Sequence, residues 1–158
     1  MPPKNRTLVA LVENKSGVLN RIASLFRRRQ FNIESLTVGH SEKKGLSRMT
    51  IVVEKGTDID QVFRQMYKII EVVKIKKLEE SEAVIRDLAL VKIAVDAQTA
   101  PALTKILRKF PTRVARKNGH FWVIEICAEP QEIDEFIVAV KKFGVLEISR
   151  AGATALLS

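Results

Sequence analysis

Hydrophobic residues in the first part of the chain switch from a strand-like run to helix-like spacing. The run from Thr7 to Val12 is short and nearly continuous, which predicts a buried strand. After a polar turn, apolar residues recur every three or four positions, at Val18, Ile22, Leu25 and Phe26. That spacing predicts a helix with one core-facing side, which Ser16 can cap and which should end near Gln30.

Three more strands and a second helix complete a recognisable order. The predicted strands are centred on Ile33 to Val38, on residues 46–53 after a polar loop, and on Val73 with Ile75. Asp58 should cap the second helix, whose apolar side consists of Ile59, Val62, Phe63, Met66 and Ile70. The order βαββαβ predicts a ferredoxin-like sandwich, with four antiparallel strands and two helices on one face.

The same order repeats after an acidic stretch at 79–82, which is the best linker candidate. The repeated elements are predicted at residues 88–95, 99–110, 114–117, 121–127, 130–143 and 145–148. The Asn118-Gly119 pair is a strong signal for the hairpin turn between the middle strands. Since 158 residues can form two domains of about 80, we predict an α+β protein. Its two ferredoxin-like sandwiches lie in tandem, at residues 1–80 and 81–158.

Composition supports a folded protein outside membranes. Hydrophobic residues make up 46% and charged residues 28%, which is typical of globular proteins. No apolar run reaches the roughly 18–20 residues of a membrane helix. Residues 1–6 lack the apolar core of a signal peptide, so we expect a cytoplasmic location.

Positive charge is concentrated in the first half of the chain. The net charge is +9, and residues 1–80 hold 16 basic and 9 acidic residues. Such a balance raises the possibility of RNA binding, which ferredoxin-like modules achieve by stacking bases on sheet aromatics. Phe26 and Phe63 instead belong to predicted core stripes, and the segment around Phe121 and Trp122 does not match the RNA-recognition consensus. A solvated or partner-facing basic surface is the simpler interpretation.

No catalytic or metal-binding constellation is evident. His40 and His120 stand alone in different halves, and neither has a second histidine or a cysteine at ligand spacing. Cys127, the single cysteine, is expected to be a buried structural thiol within a strand. The glycines form neither a phosphate-binding loop nor a dinucleotide fingerprint.

The turn at Asn14 to Gly17 leads from a strand into a helix start. Unpaired backbone N–H groups and the helix dipole make such a place suitable for a small carboxylate, and Gly17 has no Cβ to obstruct it. Asn32, after the same helix, could hydrogen-bond an ammonium or a carboxylate. An ordinary helix cap and a turn asparagine explain the same residues without a ligand.

Residues 13–39 and 46–53 closely resemble the N-terminal ACT domain of the acetohydroxyacid synthase (acetolactate synthase) small regulatory subunits. The shared features are the Asn14-x-x-Gly17-x-Leu19 turn, the phrase from Phe31 to Val38, and the segment from Leu46 to Thr50. The second half is similar at 86–93, 133–136 and 149–152, so the resemblance covers nearly the whole chain and weakens from about 96 to 130.

The resemblance implies a non-catalytic regulatory subunit. Such subunits bind and activate a separate catalytic large subunit and confer feedback inhibition, usually by valine, on branched-chain amino-acid synthesis. Thiamine diphosphate, Mg and FAD are expected only on that catalytic partner, with no cofactor on this chain. An ACT-type amino-acid sensor of a different enzyme is the alternative within the same fold.

The resemblance also implies an effector site between two copies of the ACT domain, paired side by side. Asn14, Gly17 and Val18 would hold the polar end of the amino acid in one protomer, and Asn32 and Ile33 would close the site from the other. One residue departs from the family pattern, because Gln30 stands where glycine is usual. In the left-handed conformation Gln30 would cost on the order of 1 kcal/mol.

Overall fold

A computed structural model describes residues 6–158, apart from the side chain of Glu80. The expectation that residues 1–6 carry no signal peptide falls mostly on residues 1–5, which lie outside the described residues. The described chain divides into two compact units, one of residues 6–85 with 153–158 and one of residues 86–152. None of the described helices is long and apolar enough to cross a membrane.

The first unit contains the predicted βαββαβ order. Its elements are β1 (Thr7–Glu13), α1 (Val18–Arg28), β2 (Ile33–His40), β3 (Leu46–Val53), α2 (Ile59–Met66) and β4 (Val72–Leu78). All neighbouring strands are antiparallel, and their order across the sheet is β2-β3-β1-β4. The apolar sides of both helices pack on one sheet face, with Ile22, Phe26, Ile51, Val62 and Met66 almost fully buried.

The second unit repeats this topology. Its elements are β5 (Ala83–Ala94), α3 (Ala100–Leu107), β6 (Thr112–Lys117), β7 (Phe121–Ala128), α4 (Pro130–Val140) and β8 (Val145–Arg150). The strand order is β6-β7-β5-β8, and a separate core forms around Ile93, Leu103, Ile124 and Phe136. The prediction of two ferredoxin-like sandwiches is therefore confirmed.

Buried Asp87 organises the end of the second unit. Its carboxylate accepts hydrogen bonds from Arg150 Nε at 2.6 Å and from the backbone N–H groups of Leu88 and Gly152 at 2.7 and 3.0 Å. Arg150 also donates to Asp134 at 2.5 Å. Burial works against the charge of the arginine, but the hydrogen bonds to Asp134 and Asp87 outweigh it and raise the pKa of Arg150. The segments at 86–93, 133–136 and 149–152 thus meet in one structural network.

A ninth strand, β9 (Thr154–Leu157), was not predicted from the sequence. It pairs with β5, and the residues around it return to the first unit. Three hydroxyl side chains of the first sheet fix this segment. Ala153 N–H donates to Ser35 Oγ at 3.3 Å, Thr37 Oγ1 donates to Ala153 O at 2.7 Å, and Ala155 N–H donates to Thr50 Oγ1 at 3.3 Å.

The second helix is shorter than its sequence pattern predicts. Ile70 was assigned to the apolar side of this helix, but α2 ends at Met66, and Ile70 is 85% exposed. The chain turns at this point, where the N–H of Ile69 donates to Met66 O. The predicted cap is present, because the Asp58 carboxylate accepts from the N–H groups of Asp60 and Gln61.

The end of α1 depends on a left-handed residue. Gln30 has a positive φ of 56°. Among the described residues, every other residue with a positive φ is a glycine. Its N–H donates to Arg27 O, and Phe31 N–H donates to Phe26 O at 3.0 Å. These are the two hydrogen bonds of a Schellman motif, which the edge contact between the rings of Phe26 and Phe31 completes. The helix therefore ends as it would with glycine, and Gln30 keeps the strained left-handed backbone conformation.

Replacing Gln30 with glycine is expected to stabilise the first unit by about 1 kcal/mol, because glycine has no Cβ to strain a positive φ. Hydrogen exchange of the α1 amides measures this for the first unit alone. The matched control is Arg29→Gly, one residue earlier at a right-handed φ of −94°, where glycine should give no gain. Equal or faster exchange in Gln30→Gly would contradict the strain assignment.

Candidate functional site

Two backbone hydrogen bonds close the turn between β1 and α1. Lys15 N–H donates to Glu13 O at 3.0 Å, and Asn14 N–H donates to Gly45 O at 2.8 Å. These bonds tie the turn to the end of the β2–β3 hairpin. The side chains of residues 14–16 stay exposed as a result.

Gly17 takes the N-cap position of α1 in the left-handed conformation, with φ of 87°. The prediction that Ser16 caps the helix is wrong, since no side chain makes a cap hydrogen bond there. The first N–H groups of a helix have no acceptor within it, and here Val18 N–H makes a long hydrogen bond of 3.4 Å to Lys15 O, which an external anion could replace. A Cβ added at Gly17 would meet nothing within 4 Å, which shows how much space lies beside the backbone.

Asn14 presents its carboxamide beside this helix start. Its Nδ2 atom lies 3.4 Å from Nδ1 of His40, a long contact between two exposed side chains. Neighbouring Lys15 pairs with Glu13 at 2.5 Å. The hydrogen bond and the charge of Glu13 raise the pKa of the Lys15 ammonium, and the same ion pair balances its charge.

Asn32 and Ile33 begin strand β2 at the other part of the predicted site. Glu54 holds Asn32 from two sides, because Asn32 Nδ2 donates to Glu54 Oε2 at 2.7 Å and Glu54 N–H donates to Asn32 O at 3.0 Å. In the part of the chain described, Asn32 Oδ1 has no donor and remains an available acceptor. Ile33 is half-buried against the first core.

The two parts of the predicted site lie at opposite ends of one sheet. Asn14 follows Glu13, which pairs with Leu46, whereas Ile33 pairs with Val53 at the far end of the same strand β3. Seven residue steps separate Ile33 from His40, a length of about 23 Å. A single chain therefore does not bring Asn14, Gly17 and Val18 together with Asn32 and Ile33.

Strand β2 is an edge of this sheet, with β3 on only one side. An edge strand exposes a row of backbone N–H and C=O groups that can pair with another chain. The beginning of β2, where Asn32 and Ile33 lie, is thus available to a second copy of the domain.

His40, Gly45 and Glu54 contact the predicted site residues but were not singled out for this role from the sequence. They are between 22 and 31 positions away along the chain, and the pairing of β3 with both β1 and β2 brings them close. The register of the β2–β3 hairpin would have pointed to two of these residues. It places His40 and Gly45 at the end of the sheet where β1 ends, next to Asn14.

The RNA-binding alternative has no support in the first sheet. Its central strands β1 and β3 contain no aromatic residue on which a base could stack. The hydroxyls of Ser35, Thr37 and Thr50 are used instead by the returning segment that starts at Ala153.

The remaining reactive side chains form no second candidate. Within residues 6–158, no group of three metal-ligating side chains lies close enough to hold an ion. Cys127 is exposed, so the prediction of a buried thiol is wrong. It pairs with Leu88, which is also exposed, and the buried positions of β7 on either side of it are Ile126 and Ala128.

Comparison with known families covers both units. Residues 8–74 match the family described as "AHAS small subunit-like ACT domain", and residues 86–158 match "Small subunit of acetolactate synthase".

Individual relatives agree over almost their whole length. The chain is 40% identical over 153 residues to a probable acetolactate synthase small subunit of Archaeoglobus fulgidus, covering 96% of this chain and 95% of that one. It is 38% identical to the acetolactate synthase small subunit of Bacillus subtilis, covering 95% and 88%. The crystal structure of the small subunit from Thermotoga maritima superposes with a TM-score of 0.89 at 35% identity, covering 99% and 98%.

Proposed function

Because the chain belongs to the acetolactate synthase small-subunit family, we propose that it binds a separate catalytic subunit, activates it, and makes it sensitive to feedback inhibition by valine. It performs no catalysis itself. Thiamine diphosphate, Mg and FAD are held by the catalytic partner.

The observation that carries the effector proposal is the open, uncapped helix start at Gly17. Backbone N–H groups at Gly17 and Val18 and the carboxamide of Asn14 bind the amino-acid carboxylate, with Val18 N–H giving up its long hydrogen bond to Lys15 O. The free space beside Gly17 lets the ligand approach the backbone closely.

The other side of the effector comes from a second protomer. Asn32 Oδ1, left without a donor by the contact with Glu54, accepts from the ammonium group, and Ile33 contacts the aliphatic side chain. Edge-to-edge pairing through β2 brings the two ends together across a two-fold axis. Each dimer then contains two equivalent effector sites.

Regulation follows from the shared site. An amino acid that contacts both protomers stabilises one arrangement of the pair, and the catalytic subunit responds to that arrangement. Coupling of this kind is typically about 1–3 kcal/mol, and it is reciprocal. The catalytic subunit must therefore change the affinity for valine as much as valine changes the affinity for the catalytic subunit.

Reconstitution with the purified catalytic subunit tests the function directly. Adding this chain is expected to raise acetolactate formation, and valine is expected to reverse that increase. A catalytic rate that does not change with the small subunit present, with or without valine, would contradict the proposal.

Gly17→Asp is expected to weaken valine binding by about tenfold or more, because its carboxylate lies where the ligand carboxylate must bind. Gly17→Asn is the matched control, since it has the same shape without the charge and tolerates positive φ. Calorimetry should show a clearly smaller loss for Asn than for Asp. Equal affinities for the two variants would mean that the carboxylate does not bind at Gly17.

Mixed dimers test whether the site is shared between chains. Gly17→Asp and Asn32→Ala are each expected to abolish the response to valine when present in both protomers. A dimer of one Gly17→Asp chain and one Asn32→Ala chain should keep one intact site, because the unaltered turn and the unaltered Asn32 face each other. Co-expression with two different tags isolates this mixed dimer for calorimetry.

The mixed dimer should bind about half as much valine per dimer as the unaltered protein. No binding by the mixed dimer would show that both parts of the site come from one chain, or that the placement of Asn32 is wrong.

A further inference from the structure

The first unit has an open groove between α1 and the turn that follows α2. Its volume is about 530 Å³, and it lies on the helix side of the unit. Four basic side chains line it, namely Arg21, Arg27, Arg28 and Lys68. The lining also includes Ile70, which is 85% exposed, and Glu71. The groove thus combines positive charge with an exposed aliphatic side chain.

The cations of the groove are largely uncompensated. Glu71 is the one acidic residue of the lining, and it pairs with Arg21. Within the described part of the chain, Arg27, Arg28 and Lys68 form no ion pair. Cations at the C-terminal end of α1 interact favourably with the helix dipole, which accounts for Arg27 and Arg28. It does not account for Lys68, which comes from a different segment.

A second copy of this chain is a poor occupant for the groove. The chain carries a net charge of +9, and most of that excess is in its first 80 residues. Two such surfaces would repel each other. Charge complementarity instead requires an acidic partner with an apolar side chain that can cover Ile70.

The groove is connected to the turn that begins the effector site. Glu71 is almost buried, and its Oε2 atom finds no hydrogen-bond partner among the described residues. Arg21 is therefore the cation that balances this carboxylate. The backbone of Glu71 also accepts from Glu13 N–H at 2.9 Å, directly before Asn14, and Arg21 N–H donates to Gly17 O at 2.9 Å. A displacement of this turn therefore reaches the wall of the groove through two backbone hydrogen bonds.

We propose that this groove is the surface through which the first unit binds an acidic segment of the catalytic subunit, with an apolar side chain of that segment against Ile70. This inference rests on the proposed function, because it takes the catalytic subunit as the partner. Beyond the proposed function, it identifies which surface contacts the catalytic subunit and explains why that surface is positively charged. It also places that surface beside the effector turn, where a change at Asn14 to Gly17 alters the groove.

Charge reversal in the groove tests the proposal with the full chain and the purified catalytic subunit. The double variant Arg27→Glu with Lys68→Glu is expected to weaken association by at least about tenfold, because two attractive contacts become repulsive. Association is measured by titrating the activation of acetolactate formation. The affinity of the unaltered chain should fall with added salt, and that of the double variant should fall less.

The matched control reverses two cations at the end of one helix in the second unit. Lys105 lies in the last turn of α3 as Arg27 lies in the last turn of α1, and Lys109 follows its helix as Lys68 follows α2. Lys105→Glu with Lys109→Glu changes the net charge equally and should leave the affinity unchanged. Ile70→Ser, which alters no charge, should weaken association as well.

The outcomes separate this inference from the proposed function. If the groove variant binds the catalytic subunit as tightly as the unaltered chain while valine still inhibits, the groove assignment is wrong and the function stands. Equal losses in both double variants would show a general charge effect and would also overturn the groove. Failure of the unaltered chain to bind the catalytic subunit would overturn both. Circular dichroism and calorimetry with valine confirm that each variant is folded and keeps its effector site.

Discussion

The length of a β-strand is the constraint on which the functional interpretation depends. Strand β2 spans Ile33–His40, and this span keeps the turn at Asn14 about 23 Å from Asn32. No rearrangement of side chains closes that distance within one domain. An effector that needs both ends must therefore be held by two chains, and its binding is linked to how those chains pair. On the proposed function, feedback control would follow from strand geometry as much as from ligand chemistry.

Most of the fold could be predicted because its signals are local. Apolar spacing in α1, alternation in β3 and the Asn118-Gly119 turn each act within a few residues, and the repeated order of elements gave the topology. β9 was missed because its short sequence is fixed by Ser35, Thr37 and Thr50, more than 100 positions away. Ile70 was misassigned because its helical spacing continues past the residue where the helix ends.

The candidate site was only partly accessible to sequence reasoning. The turn at Gly17 and the carboxamide of Asn32 can be identified from physical chemistry, but only the family resemblance assigns them to one ligand. Glu54 and His40 entered only with the strand register, which no spacing rule encodes. Ser16 was expected to cap α1 but does not. A capping Ser16 side chain would compete with an external carboxylate for the same N–H groups, so its absence from the cap favours ligand binding there.

The return of residues 153–158 to the first unit affects the order in which the chain can fold during synthesis. Residues 86–152 form a continuous unit, whereas the first unit lacks its last segment until the ribosome has added all of them. At about 5–20 residues per second, roughly 70 residues take about 3–14 seconds. During that interval Thr50 and its neighbouring hydroxyls face water rather than the chain. The part of the protein that is made first is therefore completed last.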